Sequence, residues 1–143
     1  MSSPALALVM PAYNEEECIQ TVVSDWIREL EKTFPQPDAL RMIVVNDGSK
    51  DNTGKILDEI AQRENRLVVV HQKNGGHGNA LMNGYRKAAE MNAEFIFQTD
   101  SDDQFFADDF LKLWEKRNDS KFILGYRKLR HDAFVRLIIT RIV

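Results

Sequence analysis

The sequence of 143 residues contains a single cysteine, Cys18, so it can form no disulfide within the chain and no zinc site built on several cysteines. It also lacks a long hydrophobic run. The N-terminal apolar stretch over residues 5–10 is too short for a signal peptide or for a membrane-spanning helix, which needs about 20 apolar residues. Few glycines and prolines, 7 and 4, exclude collagen-like and disordered classes. These absences are typical of a cytosolic globular protein.

Charge is distributed unevenly along the chain. The net charge of -3 divides into -8 over residues 1–120 and +5 over residues 121–143. A basic, partly apolar tail predicts contact with phosphate or with a lipid head-group surface. A solvated helix with positive charge towards its C-terminal end explains the same pattern equally well. No nucleic-acid partner is expected.

Short apolar runs alternate with longer helical patterns, without repeats or linkers. Strands are predicted at residues 5–10, 42–45, 67–70, 95–97 and 122–124. Helices are predicted between them, and Asn14 is the expected N-cap of the first. This order predicts an α/β fold with a mostly parallel sheet flanked by helices on both faces. Ligands of such sheets bind beyond the carboxyl ends of the strands, so the loops there form the candidate site.

The loop after the fourth predicted strand carries the strongest chemical signal. Asp100, Asp102 and Asp103 bring three carboxylates together, and two such charges ~4 Å apart repel by roughly 4 kcal/mol at an effective dielectric of about 20. A hard divalent cation neutralises such a cluster, and oxygen donors suit Mg²⁺ or Mn²⁺. Because Mg²⁺ keeps positions for substrate phosphates, a diphosphate is the expected partner. The alternative is an acidic helix N-terminus.

The other loops are ambiguous by themselves. Asp47 before Gly48 is ordinary turn chemistry. The glycines of residues 74–78 fit neither a Walker A loop nor a Rossmann fingerprint, and they indicate either a tight turn or backbone donors for a phosphate or sugar. His77 has no second histidine or cysteine nearby, so it is weak evidence for catalysis or zinc.

Taken together, four motifs resemble, in order and spacing, those of the inverting family 2 glycosyltransferases of the GT-A fold. They are VMPAYNEE at residues 9–16, VVNDGS at 44–49, KNGGHG at 73–78 and DSDDQ at 100–104. The resemblance covers essentially the whole chain and implies a Rossmann-like nucleotide-binding domain. Gln104 and the sequence GYR at 125–127 are similar to the polyprenyl-phosphate branch, to which dolichyl-phosphate mannose synthase belongs.

The resemblance implies a role for each matched residue in binding the nucleotide sugar. Pro11, Tyr13 and Glu15 would line the pocket for base and ribose, with Val45 and Asp47 beside the base. The DxD element, which would bind the nucleotide sugar as well, consists of Asp100, Ser101 and Asp102.

The same resemblance implies the metal and acceptor sites. Asp100, Asp102 and Gln104 would hold Mg²⁺ or Mn²⁺, and Asp102 is the expected catalytic residue. A cation stabilises the charge that develops when a UDP- or GDP-linked sugar is transferred. The acceptor is expected to be a polyprenyl phosphate, whose ionised oxygen needs no general base, and Arg127 would bind its phosphate. This acceptor places the protein at the cytosolic face of a membrane.

The end of the chain predicts a second region. Residues 1–126 form the expected nucleotide-sugar-binding domain, and residues 127–143 the start of an incomplete acceptor or membrane-interface region. Apolar residues at helical spacing, with arginines between them, predict a helix in the membrane interface or one packed on a missing part of the protein: Phe134, Leu137, Ile138 and Ile142. The chain therefore looks truncated at its C-terminal end.

Two other function classes remain open. A sugar nucleotidyltransferase shares the sheet and a metal-binding aspartate, but it would carry a glycine-rich phosphate loop where this chain has Pro11, Ala12 and Tyr13. A non-catalytic nucleotide-binding module would use the same pocket without transferring a sugar.

Overall fold

The computed structural model describes residues 2–101, 107–126 and 136–141. The elements in chain order are β1 (Leu6–Ala12), α1 (Ile19–Leu30), β2 (Leu40–Asp47), α2 (Thr53–Ala61), β3 (Leu67–Gln72), α3 (His77–Glu90), β4 (Phe95–Gln98), α4 (Ala107–Glu115), β5 (Phe122–Tyr126) and β6 (Arg136–Arg141). The six strands form one sheet in the order β3-β2-β1-β4-β6-β5.

The sheet is mostly parallel, as predicted. β1 pairs in parallel with β2 and with β4, and β2 pairs in parallel with β3. β6 lies antiparallel between β4 and β5. Every residue of β1 is buried, because this central strand is covered on both faces, and this explains its continuous apolar sequence.

Helices cover both faces of the sheet, which confirms the second part of the fold prediction. One core cluster packs α1, α2 and α4 against the sheet and includes Leu8, Leu57 and Phe110. The other packs α3 against the opposite face and includes Val9 and Ala80. Leu8 and Val9 enter different clusters because successive side chains of a strand point to opposite faces.

The prediction of an interfacial helix is wrong for residues 136–141. They form strand β6, and Ile139 is buried in the first core cluster. The segment is rich in β-branched residues, which favour a strand in the middle of a sheet over a helix. Residues 127–135 and 142–143 lie outside the described residues, so an acceptor region there stays a prediction. Within the described residues, no helix has the length and apolar character needed to cross a membrane.

The predicted N-cap is also wrong. α1 begins at Ile19, and Cys18 occupies the N-cap position without a side-chain capping bond. Asn14 lies earlier in the loop with a φ of 52°, a conformation that asparagine tolerates better than most residues. Its Oδ1 accepts a hydrogen bond from the backbone N–H of Lys50 at 2.8 Å, so the side chain joins two loops instead of capping a helix.

Gly84 allows α3 to lie close to the sheet. A Cβ atom at this position would collide with Cγ1 of Val9 and would lie 3.3 Å from Cγ2 of Val45. Both valines are buried in strands and have no room to move away. The absence of a side chain at Gly84 therefore sets the distance between α3 and the two strands that end at the candidate site.

We expect Gly84→Ala to lower the free energy of unfolding by about 1–3 kcal/mol, because overpacking outweighs the roughly 1 kcal/mol that alanine contributes to a helix. Gly78→Ala is the matched control in the same helix, since a Cβ there would have no atom within 4 Å. It should leave stability unchanged or raise it by up to about 1 kcal/mol. Urea denaturation measures both, and an equal effect of the two variants would contradict the close approach.

Candidate active site

A cleft of about 380 Å³ opens at the carboxyl ends of β1, β2 and β4, beside the start of α3. The structure brings together six of the residues predicted for nucleotide-sugar binding, namely Pro11, Tyr13, Glu15, Asp47, Asp100 and Ser101. The remaining lining residues are Ala12, Asn74, Gly76, His77 and Ala80. Three separate loops and the first turn of a helix therefore meet at one place.

Not every predicted residue is found in this cleft. Val45 is fully buried in the core cluster beneath α3, where it faces Gly84, and it is not among the residues that line the cleft. Its placement gives no support to a contact with the base, which stays a prediction. Asp102, Gln104 and Arg127 lie outside the described residues.

Asp47, at the end of β2, holds the glycine-containing loop that follows β3. Its Oδ1 accepts hydrogen bonds from the side-chain Nε2 of Gln72 at 2.7 Å and from the backbone N–H of Gly75 at 2.8 Å. Its Oδ2 accepts one from the backbone N–H of Gly76 at 3.1 Å. The Asp47 carbonyl accepts another from Asn74 Nδ2 at 3.1 Å. Asp47 therefore does more than shape its own turn: it ties β2 to the next loop.

Gly48 makes this close approach possible. Its φ is +67°, and a Cβ atom would lie 2.5 Å from the backbone nitrogen of Asn74. A side chain would thus meet both backbone strain and a backbone atom. The turn after β2 and the loop after β3 are packed directly on each other.

Glu15 joins the loops after β1 and β4. Its backbone N–H donates to Oγ1 of Thr53 at 2.8 Å, and the Thr53 hydroxyl donates in turn to Oδ1 of Asp51 at 2.6 Å. Its carboxylate accepts hydrogen bonds from Oγ of Ser101 at 3.3 Å and from Sγ of Cys18 at 3.1 Å. The Glu15 backbone is therefore fixed by α2, and its carboxylate reaches the loop that is predicted to hold the metal.

Asp51 strengthens the same junction from the α2 side. Its Oδ2 accepts a hydrogen bond from the backbone N–H of Glu16 at 3.2 Å, and Oε2 of Glu16 accepts one from the backbone N–H of Asn52 at 2.9 Å. Burial by itself would raise the pKa of Asp51, but hydrogen bonds from Thr53 and Glu16 outweigh it and hold the pKa below its usual value. The carboxylate is therefore ionised at neutral pH, and the reciprocal bonds between the two loops persist.

A second series of hydrogen bonds connects the turn after β2 to β3 and α2. Oδ1 of Asn46 accepts from the backbone N–H of Ser49 at 3.2 Å, and Nδ2 of Asn46 lies 3.0 Å from Nδ1 of His71. Because Nδ2 can only donate, Nδ1 of His71 is the acceptor and Nε2 carries the proton that is donated to Oδ1 of Asp58 at 2.8 Å. His71 therefore links the turn after β2 to α2.

Asp100 lies where β4 meets the start of α3. One of its carboxylate oxygens is 3.8 Å from Nε2 of His77. Burial, and then the negative charge of Asp100, raise the pKa of Tyr85, whose hydroxyl donates a hydrogen bond to Oε1 of Gln98. Tyr85 thus stays a protonated donor at neutral pH and fixes α3 to the strand that precedes Asp100.

The structure describes only part of the metal site that is predicted from the sequence. Asp100 is the member of the predicted ligand set that the structure describes, and its half-buried carboxylate lines the cleft. Among the residues described, no group of three or more His, Cys, Asp or Glu side chains is placed to hold a metal ion. An oxygen donor at this position fits the chemistry of Mg²⁺ or Mn²⁺.

Sequence reasoning missed several residues that build the site. Gln72 and Thr53 were not singled out, and His77 lines the cleft although its sequence context made it weak evidence. A signal for Gln72 was present, because it is a polar residue at the end of a strand whose preceding residues 67–70 are all apolar. The parallel register pairs it directly with Asp47.

The chain is similar in sequence to known proteins of one family. Residues 7–134 match the family described as Glycosyl transferase family 2. The UDP-N-acetylglucosamine–dolichyl-phosphate N-acetylglucosaminyltransferase of Methanococcus voltae is 31% identical over 156 residues, which cover 99% of this chain and 59% of that protein. The dolichyl-phosphate beta-glucosyltransferase ALG5D of Trichomonas vaginalis is 29% identical over 136 residues, which cover 89% of this chain and 41% of the relative.

A solved structure shares the fold. The mannosyltransferase PcManGT from Pyrobaculum calidifontis, in complex with GDP-Man and Mn2+, superposes with a TM-score of 0.73 at 21% identity, over 98% of this chain and 45% of that one. The chain thus spans about half the length of the proteins it matches. Because the family match covers most of the chain and the motifs converge on one cleft, the chain belongs to glycosyltransferase family 2.

Proposed function

We propose that this chain contains the donor-binding part of an enzyme that transfers a sugar from a nucleoside-diphosphate sugar to a polyprenyl phosphate. The observation that carries the proposal is the convergence of the carboxyl ends of β1, β2 and β4 on one cleft, each of which contributes a carboxylate: Glu15, Asp47 and Asp100. The cleft volume lies within the range of about 300–1,000 Å³ that small-molecule sites occupy. The names of the two dolichyl-phosphate transferases support the acceptor class.

The cleft offers complementary groups for the nucleotide. Tyr13 is 42% exposed at the cleft and presents an aromatic face against which a base can stack. Asp47 offers an acceptor for a base N–H at the floor of the cleft, where the carboxylate is almost fully buried. Asp100 lines the cleft beside His77 at the start of α3, and we propose that it faces the diphosphate. The relative from Methanococcus voltae is named for a UDP-linked donor and the similar structure contains a GDP-linked one. These names therefore do not identify the base of the donor.

A divalent cation belongs to the proposal. Asp100, Asp102 and Gln104 would hold it, because their oxygen donors suit Mg²⁺ or Mn²⁺. When bound, the cation would neutralise the negative charge that develops on the departing nucleoside diphosphate. The residues of this chain orient the donor: Asp47 through the base, and Glu15 through its bond to Ser101 in the DxD element.

The proposed acceptor is supported by the chemistry of a phosphate nucleophile and by the sequence at Arg127. A phosphate oxygen is already ionised at neutral pH, so the acceptor needs no general base. Arg127 is proposed to bind this phosphate, because a guanidinium can hold two phosphate oxygens at once. Residues 127–135 and 142–143, on either side of β6, are proposed to begin the acceptor region, and the lipid nature of the acceptor is the reason to propose that the enzyme acts at the cytosolic face of a membrane.

Asp102→Asn should weaken the binding of UDP and GDP about tenfold or more in Mn²⁺ and leave it unchanged in EDTA, because the variant removes one charged ligand of the cation. Isothermal calorimetry measures both conditions. Asp108→Asn is the control, since this exposed carboxylate lies in the first turn of α4. If the native chain binds nucleotide equally well with and without metal, the metal site is contradicted.

Asp47→Asn should weaken nucleotide binding about tenfold or more and also lower the free energy of unfolding by roughly 1.5–3 kcal/mol. In either orientation of the amide, its NH₂ group would face a backbone donor that now bonds to the carboxylate, the N–H of Gly75 or that of Gly76. Asp38→Asn changes an exposed carboxylate paired with Arg41, and it should alter neither quantity by much. Retained nucleotide affinity in Asp47→Asn would exclude a role of this residue in the site.

Sugar transfer itself is tested with a labelled UDP- or GDP-sugar, Mn²⁺ and a polyprenyl phosphate in detergent. We expect Arg127→Ala to reduce the transfer rate about tenfold or more without changing nucleotide affinity, because its charge acts on the acceptor. Lys112→Ala, on an exposed side chain of α4, serves as control. Metal-dependent nucleotide binding without any transfer by the native chain would instead favour a non-catalytic binding module.

A further inference from the structure

The carboxylate of Asp47 has few acceptor positions left for a ligand. Two carboxylate oxygens offer about four lone-pair positions in total. Gln72 Nε2 and the Gly75 N–H both donate to Oδ1, and the Gly76 N–H donates to Oδ2. Counting the donors within the part of the chain that the structure describes, one position remains, and it belongs to Oδ2.

Gln72 cannot easily vacate its position, because its side chain is fixed from the other end. Its Oε1 accepts a hydrogen bond from Nδ2 of Asn83 at 2.5 Å, and Oδ1 of Asn83 accepts one from the guanidinium of Arg86 at 2.9 Å. A flip of the Gln72 amide would set its NH₂ group against the NH₂ group of Asn83 and its oxygen against the carboxylate. In this series of hydrogen bonds Arg86 donates to Asn83, Asn83 to Gln72 and Gln72 to Asp47. The series therefore keeps both acceptor positions of Asp47 Oδ1 occupied.

Nucleotide bases differ in the number of hydrogen-bond donors that they present to such a carboxylate. Guanine presents two donors side by side, N1–H and the 2-amino group, which together fit both oxygens of one carboxylate. Uracil presents a single donor, N3–H, between two carbonyl oxygens, and thymine shares this edge. One free position on Oδ2 matches the single donor and leaves the second donor of guanine without a partner.

We propose that Asp47, restricted by Gln72 and the glycine loop, selects nucleotides with a uracil-type edge over guanine nucleotides. The inference rests on the proposed function, because it names the donor class of the same cleft. Asp47 is 5% exposed, so little water is available to satisfy the second guanine donor. Guanine would otherwise have to displace the N–H of Gly75 or the amide of Gln72. Either outcome leaves a buried polar group unpaired, which weakens binding by roughly tenfold or more.

The test compares UDP and GDP by isothermal calorimetry in Mn²⁺ with the native chain and two variants. UDP should bind the native chain about tenfold more tightly than GDP, or better. Gln72→Leu removes the amide that fills Oδ1 and opens a second position, so the preference for UDP should fall by roughly threefold or more. Gln62→Leu makes the same chemical change at the exposed C-terminal end of α2, and it should leave the preference unchanged.

The outcomes separate the inference from the function on which it rests. Binding of neither nucleotide contradicts the proposed function, and the inference falls with it. Binding of both with equal affinity, or with GDP preferred, contradicts the inference and leaves the function standing. An unchanged preference in a folded Gln72→Leu variant overturns the role given to Gln72. If that variant fails to fold, the preference of the native chain still decides the selectivity.

Discussion

The almost buried carboxylate of Asp47 is the contact on which the cleft depends. It lies at the end of β2, and its donors come from Gln72 on β3 and from Gly75 and Gly76 in the following loop. A carboxylate is held away from water at low cost only when several N–H groups surround it, and this one has three. The position of the loop before α3, and therefore the wall of the cleft, follows from satisfying this one charge.

On the side of the cleft formed by the loop after β1, carboxylates are likewise satisfied by donors from other loops. Glu15 and Asp51 accept hydrogen bonds from hydroxyl, thiol and backbone donors, so the loop after β1 is bound both to α2 and to Ser101 after β4. None of these bonds lies within a helix or strand. The parallel sheet brings the loops to one edge, and the carboxylates then fix them to one another. The site is thus a set of loops held together by carboxylates, of which Asp47 is buried and Glu15 and Asp51 are partly buried.

The fold could be predicted from the sequence because its signals are local. The continuous apolar run of β1 and the alternation of strand and helix patterns both follow from burial on two faces. The failures have a physical reason as well. Helical spacing in residues 137–142 competed with their β-branched character, and pairing with β4 and β5 decided in favour of a strand. Asn14 looked like a cap, but a tertiary bond to Lys50 used its side chain.

The site residues that could be predicted from the sequence are those at or just after the carboxyl end of a strand. Pro11 and Asp47 lie in the last residues of β1 and β2, Asp100 lies two residues after the end of β4, and the structure places all three in the lining. Gln72 stands at a strand end, but its bond to Asp47 and the bond of Thr53 to Glu15 join residues 25 and 38 positions apart, and no local pattern reveals these pairings. Yet these are the residues that determine how many acceptor positions Asp47 offers and where the Glu15 backbone sits. The matched motifs thus locate the site, whereas the residues between the motifs determine what its carboxylates can still bind.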